Sequence, residues 1–120
     1  MNMSSTAALV GIAPYLAYSA AKGGIRSMTK SIAAYCKAGK LPIRCNSVHP
    51  GATESAMQDD ILATSNMTAA EIETHKATRT PMGRFGKPLD IAQAILFLAS
   101  NDSAWMTGSE MVVDGGYTAR

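Results

Sequence analysis

Helix and strand patterns alternate along this chain, and that alternation constrains its fold more than any other feature. Strand patterns at 1–4, 43–48 and 110–113 are separated by helical patterns at 16–38 and 88–100. Two parallel strands need a long crossover connection, usually a helix, whereas antiparallel strands can be joined by a short turn. The order therefore predicts an α/β fold with about three parallel strands and flanking helices.

The two helical patterns have recognisable beginnings and ends. Small and apolar residues recur near helical spacing in the first, and Gly39 follows it as a stop signal. The second begins with Pro88 and has Asp90 in its first turn, and both residues are favourable at a helix N-terminus. We expect the buried face of the second helix to consist of Ile91, Ala92, Ile95, Leu96 and Ala99.

Ser5, Tyr18 and Lys22 form the strongest chemical pattern in the sequence. Tyr18 and Lys22 are four residues apart, so they share one helix face, where the ammonium can stabilise a phenolate. A tyrosine phenol ionises only at about pH 10, and a fixed cation beside it makes it a better acid or base near neutral pH. Ser5 can hydrogen-bond the same substrate oxygen. Because Tyr-x-x-x-Lys also arises by chance, its meaning depends on the motifs around it.

A second group of candidate residues follows the second strand pattern. In doubly wound sheets, ligands bind beyond the carboxyl ends of the strands, and both Ser5 and the turn Pro50–Gly51 come at such an end. We therefore expect them to face one crevice. His49 has no Asp, Cys or second His in register, so we interpret it as a packed strand-end histidine rather than a ligand.

Residues 55–86 form a looser pattern. Ser55-x-x-Gln58 and Thr68-x-x-Glu71 are both capping-box patterns, which predict a short helix after each. The apolar residues of this segment either form a lid over a lipophilic substrate or pack as ordinary amphipathic helices, and both interpretations stay open. They are Met57, Ile61, Leu62, Met67, Ile72 and Met82.

Composition narrows the class of protein. With 120 residues, 47% of them hydrophobic, the chain suits part or all of one domain over 1–120 and is too short for two. A net charge of +2 without a basic run argues against nucleic acid or an anionic membrane as a partner. Cys36 and Cys45 form no Cys-x-x-Cys pair, so we expect buried free thiols and no metal site. No apolar stretch approaches the ~20 residues of a membrane span, and we expect a cytoplasmic protein.

Ser5, Tyr18 and Lys22 stand within a set of ordered motifs. These are Asn2-Met3-Ser4-Ser5, then Ala17-Tyr18-Ser19-Ala20-Ala21-Lys22-Gly23-Gly24, then Arg44-Cys45-Asn46-Ser47-Val48-His49-Pro50-Gly51, and finally Thr107-Gly108-Ser109 with Val113-Asp114-Gly115-Gly116. In this order and spacing, the chain resembles the short-chain dehydrogenase/reductase family over essentially its whole length. Within that family it looks most like the alcohol and hydroxysteroid dehydrogenases.

The resemblance implies that the chain is the C-terminal half of a doubly wound, Rossmann-like domain. The family's Gly-rich dinucleotide-binding turn and its catalytic asparagine have no counterpart here, and we expect both to lie upstream of Met1. By the same resemblance, 16–38 is the catalytic helix, 55–86 is the substrate loop, and 88–116 holds the C-terminal helix and strand. Members of the family form homo-oligomers, so we expect a dimer or tetramer.

The resemblance also implies an NAD- or NADP-dependent oxidoreductase that interconverts a secondary alcohol and a ketone by hydride transfer, without a metal. Tyr18 would exchange the alcohol proton, Lys22 would assist Tyr18 and hold the nicotinamide ribose, and Ser5 would orient the substrate oxygen. Ser55 would replace the family's usual threonine near the cofactor, although its hydroxyl also suits a helix cap. The implied cofactor-binding residues are Tyr18, Lys22, Pro50, Gly51, Ala52, Thr53 and Ser55.

Two alternatives stay open. A 3-oxoacyl reductase of the same family would use the same residues, and assays with acyl-chain substrates distinguish it. A chain without the Gly-rich turn loses most of its expected cofactor affinity, so it would instead be an inert fragment that acts through subunit association. Cofactor titration distinguishes that case.

Overall fold

A computed structural model describes residues 1–119 and contains a three-stranded parallel sheet. The strands are β1 (Asn2–Met3), β2 (Ser47–Pro50) and β3 (Glu110–Val113), and β2 lies between the other two. Asn2 pairs with Ser47, and Ser47 pairs in turn with Glu110. The α/β prediction with three parallel strands is confirmed.

Within residues 1–119, four α-helices connect and flank these strands. They are α1 (Leu16–Ala38), α2 (Ala56–Ala63), α3 (Ala69–Arg79) and α4 (Pro88–Ala99). Helix α1 is the crossover between β1 and β2, and the other three lie between β2 and β3. One-turn 3-10 helices at Thr6–Ala8, Ala13–Tyr15 and Asn101–Ser103 complete the connections. In the described part of the chain, no helix is both long enough and apolar enough to cross a membrane.

The middle strand begins later than its apolar pattern predicted. We expected a strand over 43–48, but Ile43 is 55% exposed and β2 starts at Ser47. On the side of β3, the chain before Ser47 has a loop as its neighbour: the Cys45 N–H donates to Thr107 Oγ1 at 3.1 Å, and the Cys45 carbonyl accepts from Gly108 at 2.6 Å. The first residue of β2 pairs with the first residues of β1 and β3, and a local pattern does not encode this register.

The apolar core lies between the sheet and α4. Val48, Ile91 and Leu98 are buried there, and Ile95, Met106, Met111 and Val113 pack against them. The expected buried face of α4 was wrong at Ala92, Leu96 and Ala99, which are exposed. The helix is rotated so that Leu98, about two turns beyond Ile91 and one turn beyond Ile95, faces the sheet instead.

Arg44, in the segment before β2, connects that segment to the C-terminal end of α4 by hydrogen bonds. Its guanidinium donates to the carbonyls of Leu98 at 3.2 Å and Ser100 at 3.0 Å. It also donates to the Ser103 carbonyl at 2.9 Å and the Met106 carbonyl at 3.3 Å. Carbonyls at a helix C-terminus have no partner within the helix, so this single side chain caps α4.

Glu110 connects β3 to α1 through two ion pairs. Its carboxylate lies 2.9 Å from Arg26 Nε and 2.6 Å from Lys30 Nζ, and its side chain is 18% exposed. The hydrogen bond from Lys30, assisted by the one from Arg26, lowers the pKa of Glu110. These ion pairs hold α1, the candidate catalytic helix, against β3 at one edge of the sheet.

Candidate active site

All eight site residues predicted from the sequence line one cleft. The cleft has a volume of about 580 Å³ and lies at the carboxyl ends of β1 and β2. The cleft is surrounded by the ends of these two strands, the first half of α1 and the segment around α2. The predicted residues around it are Ser5, Tyr18, Lys22, Pro50, Gly51, Ala52, Thr53 and Ser55.

Ser5 lies just after β1, where the chain leaves the sheet. Its backbone is extended, and its side chain caps the 3-10 turn Thr6–Ala8 by accepting from the Ala7 N–H at 3.1 Å. This bond uses one lone pair of the hydroxyl. Ser5 therefore keeps a proton to donate toward a ligand oxygen in the cleft.

Tyr18 and Lys22 lie on one face of α1, as their spacing predicted. Lys22 Nζ is 5.6 Å from the centre of the Tyr18 ring and donates to the Met3 carbonyl at 3.1 Å. That carbonyl anchors the ammonium at the end of β1 while two of its three N–H donors stay available. Tyr15 packs edge-on against the Tyr18 ring, with 6.4 Å between centroids. The Tyr18 side chain is 38% exposed, so its ring is held while ligands can still reach it.

The turn after β2 requires glycine at position 51. A Cβ on Gly51 would lie 2.8 Å from both Cα and Cβ of Asp114. The Gly51 N–H donates to the Val113 carbonyl at 3.0 Å. The C-terminal turn therefore packs directly on the backbone that lines the cleft.

Asp114 is itself held rigidly. Its carboxylate accepts from the Gly116 N–H at 2.8 Å, and from the Thr118 N–H at 2.8 Å and hydroxyl at 2.7 Å. Burial alone would raise the pKa of Asp114, but the hydrogen bonds from Thr118 and the turn amides outweigh it and lower that pKa. Gly115 and Gly116 both have positive φ, a conformation that favours glycine.

The ends of segment 55–86 are joined to each other. Thr53 forms an isolated parallel bridge with Gly86. The Gly86 N–H donates to the Ala52 carbonyl at 2.9 Å, and the Glu54 N–H donates to the Gly86 carbonyl at 2.8 Å. The whole segment, including α2 and α3, thus leaves and returns beside the cleft.

Ser55 uses its hydroxyl to begin α2. Its Oγ accepts from the Gln58 N–H at 3.3 Å and donates to the Thr53 carbonyl at 3.2 Å. The capping prediction for Ser55 is confirmed, and its position on the cleft is compatible with a second role. Thr68 and Glu71 form the full capping box at the start of α3.

Segment 55–86 supplies both apolar surface and a cation to the cleft. Met57 and Ile61 line it, and so does Arg79 at the end of α3, whose guanidinium is 5.0 Å from the Tyr117 ring centre. Met82 lies outside this cleft, while Leu62, Met67 and Ile72 are half-buried. Met57 and Ile61 thus lie where a lid over a substrate requires them, whereas half-buried Leu62, Met67 and Ile72 fit the ordinary packing of amphipathic helices.

Five lining residues carried no signal that we used: Thr6, Ala7, Ile12, Tyr15 and Arg79. Tyr15 comes one helical turn before Tyr18, so helical spacing was a usable signal for it. Arg79 is far from the other site residues in sequence, and only the folding of α3 against the cleft brings it there. His75 on α3 packs edge-on against Phe85.

The charges around the cleft are all of one sign. Lys22 and Arg79 line it, and none of its lining residues within the described chain is Asp or Glu. Within residues 1–119, no three His, Cys, Asp or Glu side chains come close enough together to hold a metal ion. The donor set therefore suits an anionic or hydroxyl-rich ligand.

A family model described as "Enoyl-(Acyl carrier protein) reductase" matches residues 1–118. Solved structures agree with this match: a short chain dehydrogenase family protein from Francisella tularensis has a TM-score of 0.88 and 30% identity, over 98% of this chain and 49% of that one. The chain belongs to the short-chain dehydrogenase/reductase family. The family resemblance inferred from the motifs is confirmed.

Further similarities are to dehydrogenases of this family. The NADP-dependent (R)-specific alcohol dehydrogenase of Lentilactobacillus kefiri is 42% identical over 100% of this chain and 45% of its own length. A structure of 4-hydroxyisoleucine dehydrogenase complexed with NADH has a TM-score of 0.84 at 28% identity, covering 98% of this chain and 46% of that one. This short-chain dehydrogenase/reductase chain spans about half the length of the relatives it matches.

Proposed function

We propose that the whole protein is an NAD(P)-dependent oxidoreductase that interconverts a secondary alcohol and a ketone. By the whole protein we mean this chain joined to the dinucleotide-binding half that its relatives contain. The observation that carries the proposal is the convergence of Ser5, Tyr18 and Lys22 on one cleft. Similarity to an alcohol dehydrogenase over 100% of the chain supports it.

Tyr18 is the proton donor and acceptor of the proposed reaction. Its ring is fixed between Tyr15 and the Lys22 ammonium, while the side chain stays accessible from the cleft. In ketone reduction, Tyr18 Oη gives its proton to the substrate oxygen, and in alcohol oxidation it takes that proton back. A positioned general acid or base of this kind contributes about 10²- to 10⁴-fold to the rate.

Lys22 has two roles in this scheme. Its positive charge stabilises the Tyr18 phenolate that forms when the proton leaves. Because the Met3 carbonyl occupies only one of its donors, the remaining N–H groups can hold a vicinal diol such as that of a ribose.

Ser5 orients the substrate. Its hydroxyl proton points to the oxygen that Tyr18 protonates, while the Ala7 N–H holds the hydroxyl from the other side. A donor aimed at the oxygen on which charge develops stabilises the transition state.

The cleft residues fit a nicotinamide cofactor. Two cationic side chains and no acidic ones line the cleft, and the backbone of Pro50–Thr53 offers polar groups at its floor. When bound, NAD or NADP supplies or accepts the hydride. We assign Tyr18, Lys22, Pro50, Gly51, Ala52, Thr53 and Ser55 to its binding.

The substrate proposed is a lipophilic alcohol or ketone. Ile12, Tyr15, Met57 and Ile61 give the cleft an apolar portion beside its polar residues. Segment 55–86 is the proposed substrate loop, in which Met57 and Ile61 cover the bound substrate.

We also propose a cytoplasmic homo-oligomer, a dimer or tetramer. Large apolar side chains outside the cleft support it, since Leu96 is 69% exposed and Trp105 fully so. Both cysteines are buried free thiols, which is usual in a reducing compartment.

A 3-oxoacyl reductase is the second candidate. The description of the matching family model names an enoyl group on an acyl carrier protein, and a 3-oxoacyl substrate shares that carrier, which supports this candidate. Assays with 3-oxoacyl thioesters and with simple ketones, under the same conditions, distinguish the two candidates.

The decisive experiment replaces Tyr18 by Phe in the whole protein. We expect Tyr18→Phe to lower kcat by about 10²- to 10⁴-fold while nucleotide binding is retained. Tyr35→Phe is the matched control, because Tyr35 lies on the same helix and is 72% exposed. Equal activity of the two variants would refute the role of Tyr18.

A further inference from the structure

His49 is a fully buried histidine beside the cleft, and the proposed reaction does not use it. Its side chain has 0% exposure and comes immediately before the Pro50–Gly51 turn. Nε2 lies 2.8 Å from Ser47 Oγ, and Nδ1 lies 3.2 Å from the Ser5 carbonyl oxygen. The ring therefore joins β2 to the segment that leaves β1.

The partners of the ring define its tautomer. A carbonyl oxygen can only accept, so Nδ1 carries the proton and donates to Ser5. In the neutral ring, Nε2 then accepts from the Ser47 hydroxyl. Burial lowers the pKa of His49, and the hydrogen bond to Ser5 opposes this less strongly, so the neutral ring is favoured.

Ser5 lies between a two-residue strand and a one-turn 3-10 helix. Within that turn, its carbonyl accepts from the Ala8 N–H at 3.0 Å and its hydroxyl accepts from the Ala7 N–H at 3.1 Å, and the preceding Ser4 N–H donates to a carbonyl of β2 at 2.8 Å. The bond from His49 Nδ1 differs from the two local bonds, because it joins Ser5 itself to a residue of β2 that is 44 positions away. The carbonyl and hydroxyl of Ser5 belong to one residue, so a shift of the carbonyl also redirects the hydroxyl.

We propose that His49 is a positioning residue whose Nδ1–H holds the Ser5 carbonyl and thereby aims the Ser5 hydroxyl at the substrate oxygen. This inference rests on the proposed function, in which Ser5 orients that oxygen. A displacement of about 1 Å in an active site can cost up to 10²-fold in rate.

Two amide variants of the whole protein distinguish the roles of the two ring nitrogens of His49. The amide nitrogen of His49→Asn falls near the position of Nδ1 and keeps the bond to Ser5, whereas that of His49→Gln reaches toward Ser47. We expect His49→Gln to lower kcat by about 10-fold or more with the nucleotide KM unchanged, and His49→Asn to stay within about 3-fold of the natural protein. Both variants bury an amide, so a purely structural role predicts equal effects.

A double-mutant cycle with Ser5→Ala tests whether His49 acts through Ser5. We expect His49→Gln to cause no further loss of kcat once the Ser5 hydroxyl is gone, since coupled residues are non-additive. Additive losses, or equal kcat in the Asn and Gln variants, would overturn the proposal.

A crystal structure of the whole protein carrying His49→Gln gives a readout independent of turnover. We expect the Ser5 hydroxyl to be displaced from its position in the natural protein. An unmoved Ser5 hydroxyl would overturn the positioning role even if the enzyme turned over no ketone. Absence of activity in the natural protein, with Ser5 displaced in the variant, would refute only the proposed function.

Discussion

Gly51 and Asp114 are in such close contact that a single methyl group on Gly51 would overlap the Asp114 backbone at 2.8 Å. The two residues come directly after the neighbouring parallel strands β2 and β3, and Gly51 lines the cleft. The last turn of the chain therefore shapes the nucleotide-binding candidate loop, although it contributes none of the predicted site residues.

Gly51→Ala in the whole protein should lower the free energy of unfolding by about 1–3 kcal/mol, because overpacking forces the two turns apart. Nucleotide affinity, measured by fluorescence titration with NAD(P)H, should fall in the same variant. Gly11→Ala is the control, since a Cβ on Gly11 meets nothing within 4 Å. Unchanged affinity in Gly51→Ala would show that this contact does not shape the binding site.

Lys22→Met should lower kcat by about 10²-fold or more, since the Tyr18 phenolate loses its neighbouring cation. The nucleotide KM should rise in the same variant, because the ammonium also holds the ribose. Lys37→Met, in the last turn of the same helix, removes an equal charge outside the cleft. The two variants are compared by steady-state kinetics, and a rise in KM without a fall in kcat would remove Lys22 from the proton-transfer step.

Arg44→Met should destabilise the whole protein by about 2–4 kcal/mol, because the carbonyls at the end of α4 lose their charged donor. Arg84→Met is the comparison: Arg84 pairs with Asp90 at 2.7 Å, but both side chains are partly exposed. An exposed pair of this kind contributes less than about 1 kcal/mol. Urea unfolding of both variants measures the difference, and equal losses would mean that Arg44 does not cap α4.

Glu110→Gln should make stability less dependent on acid pH. The folded-state pKa of Glu110 is lowered from its ordinary value of 4.5, so the carboxylate stabilises the fold fully above that pH. The contribution is lost as pH falls below 4.5 and through the folded-state pKa. Thermal unfolding from pH 7 downward should show a gap between the natural protein and the variant that closes in acid. A constant gap would mean that the ion pairs to Arg26 and Lys30 contribute nothing.

Local patterns predicted the parts of the fold that depend on local chemistry. Helix α1 occupies the range that its periodicity and the stop signal Gly39 indicated, and β3 occupies the range of its strand pattern. The position of the cleft followed from a topological rule, because the ends of parallel strands meet at one edge of the sheet.

The features that the sequence did not predict depend on contacts between distant residues. The start of β2 depends on its register with β1 and β3, and the buried face of α4 depends on the side chains of the sheet that pack against it. Arg79 reaches the cleft only through the path of α3. The Gly51–Asp114 contact joins two turns 63 positions apart, and neither turn's own pattern encodes it.

The bridge between Thr53 and Gly86 makes the part of the intervening segment around α2 exchangeable. The two ends of the segment are joined to each other, and its last residues also bond to the C-terminal turn and to α4, through Met82 and Gly115 at 3.2 Å and through Arg84 and Asp90 at 2.7 Å. A change of length between α2 and α3 leaves these attachments in place. The entropic cost of enlarging such a loop rises only by about 0.6 kcal/mol for each doubling of its length. The apolar residues of α2 that line the cleft, Met57 and Ile61, can therefore change in evolution or by design while the residues proposed for proton transfer keep their positions.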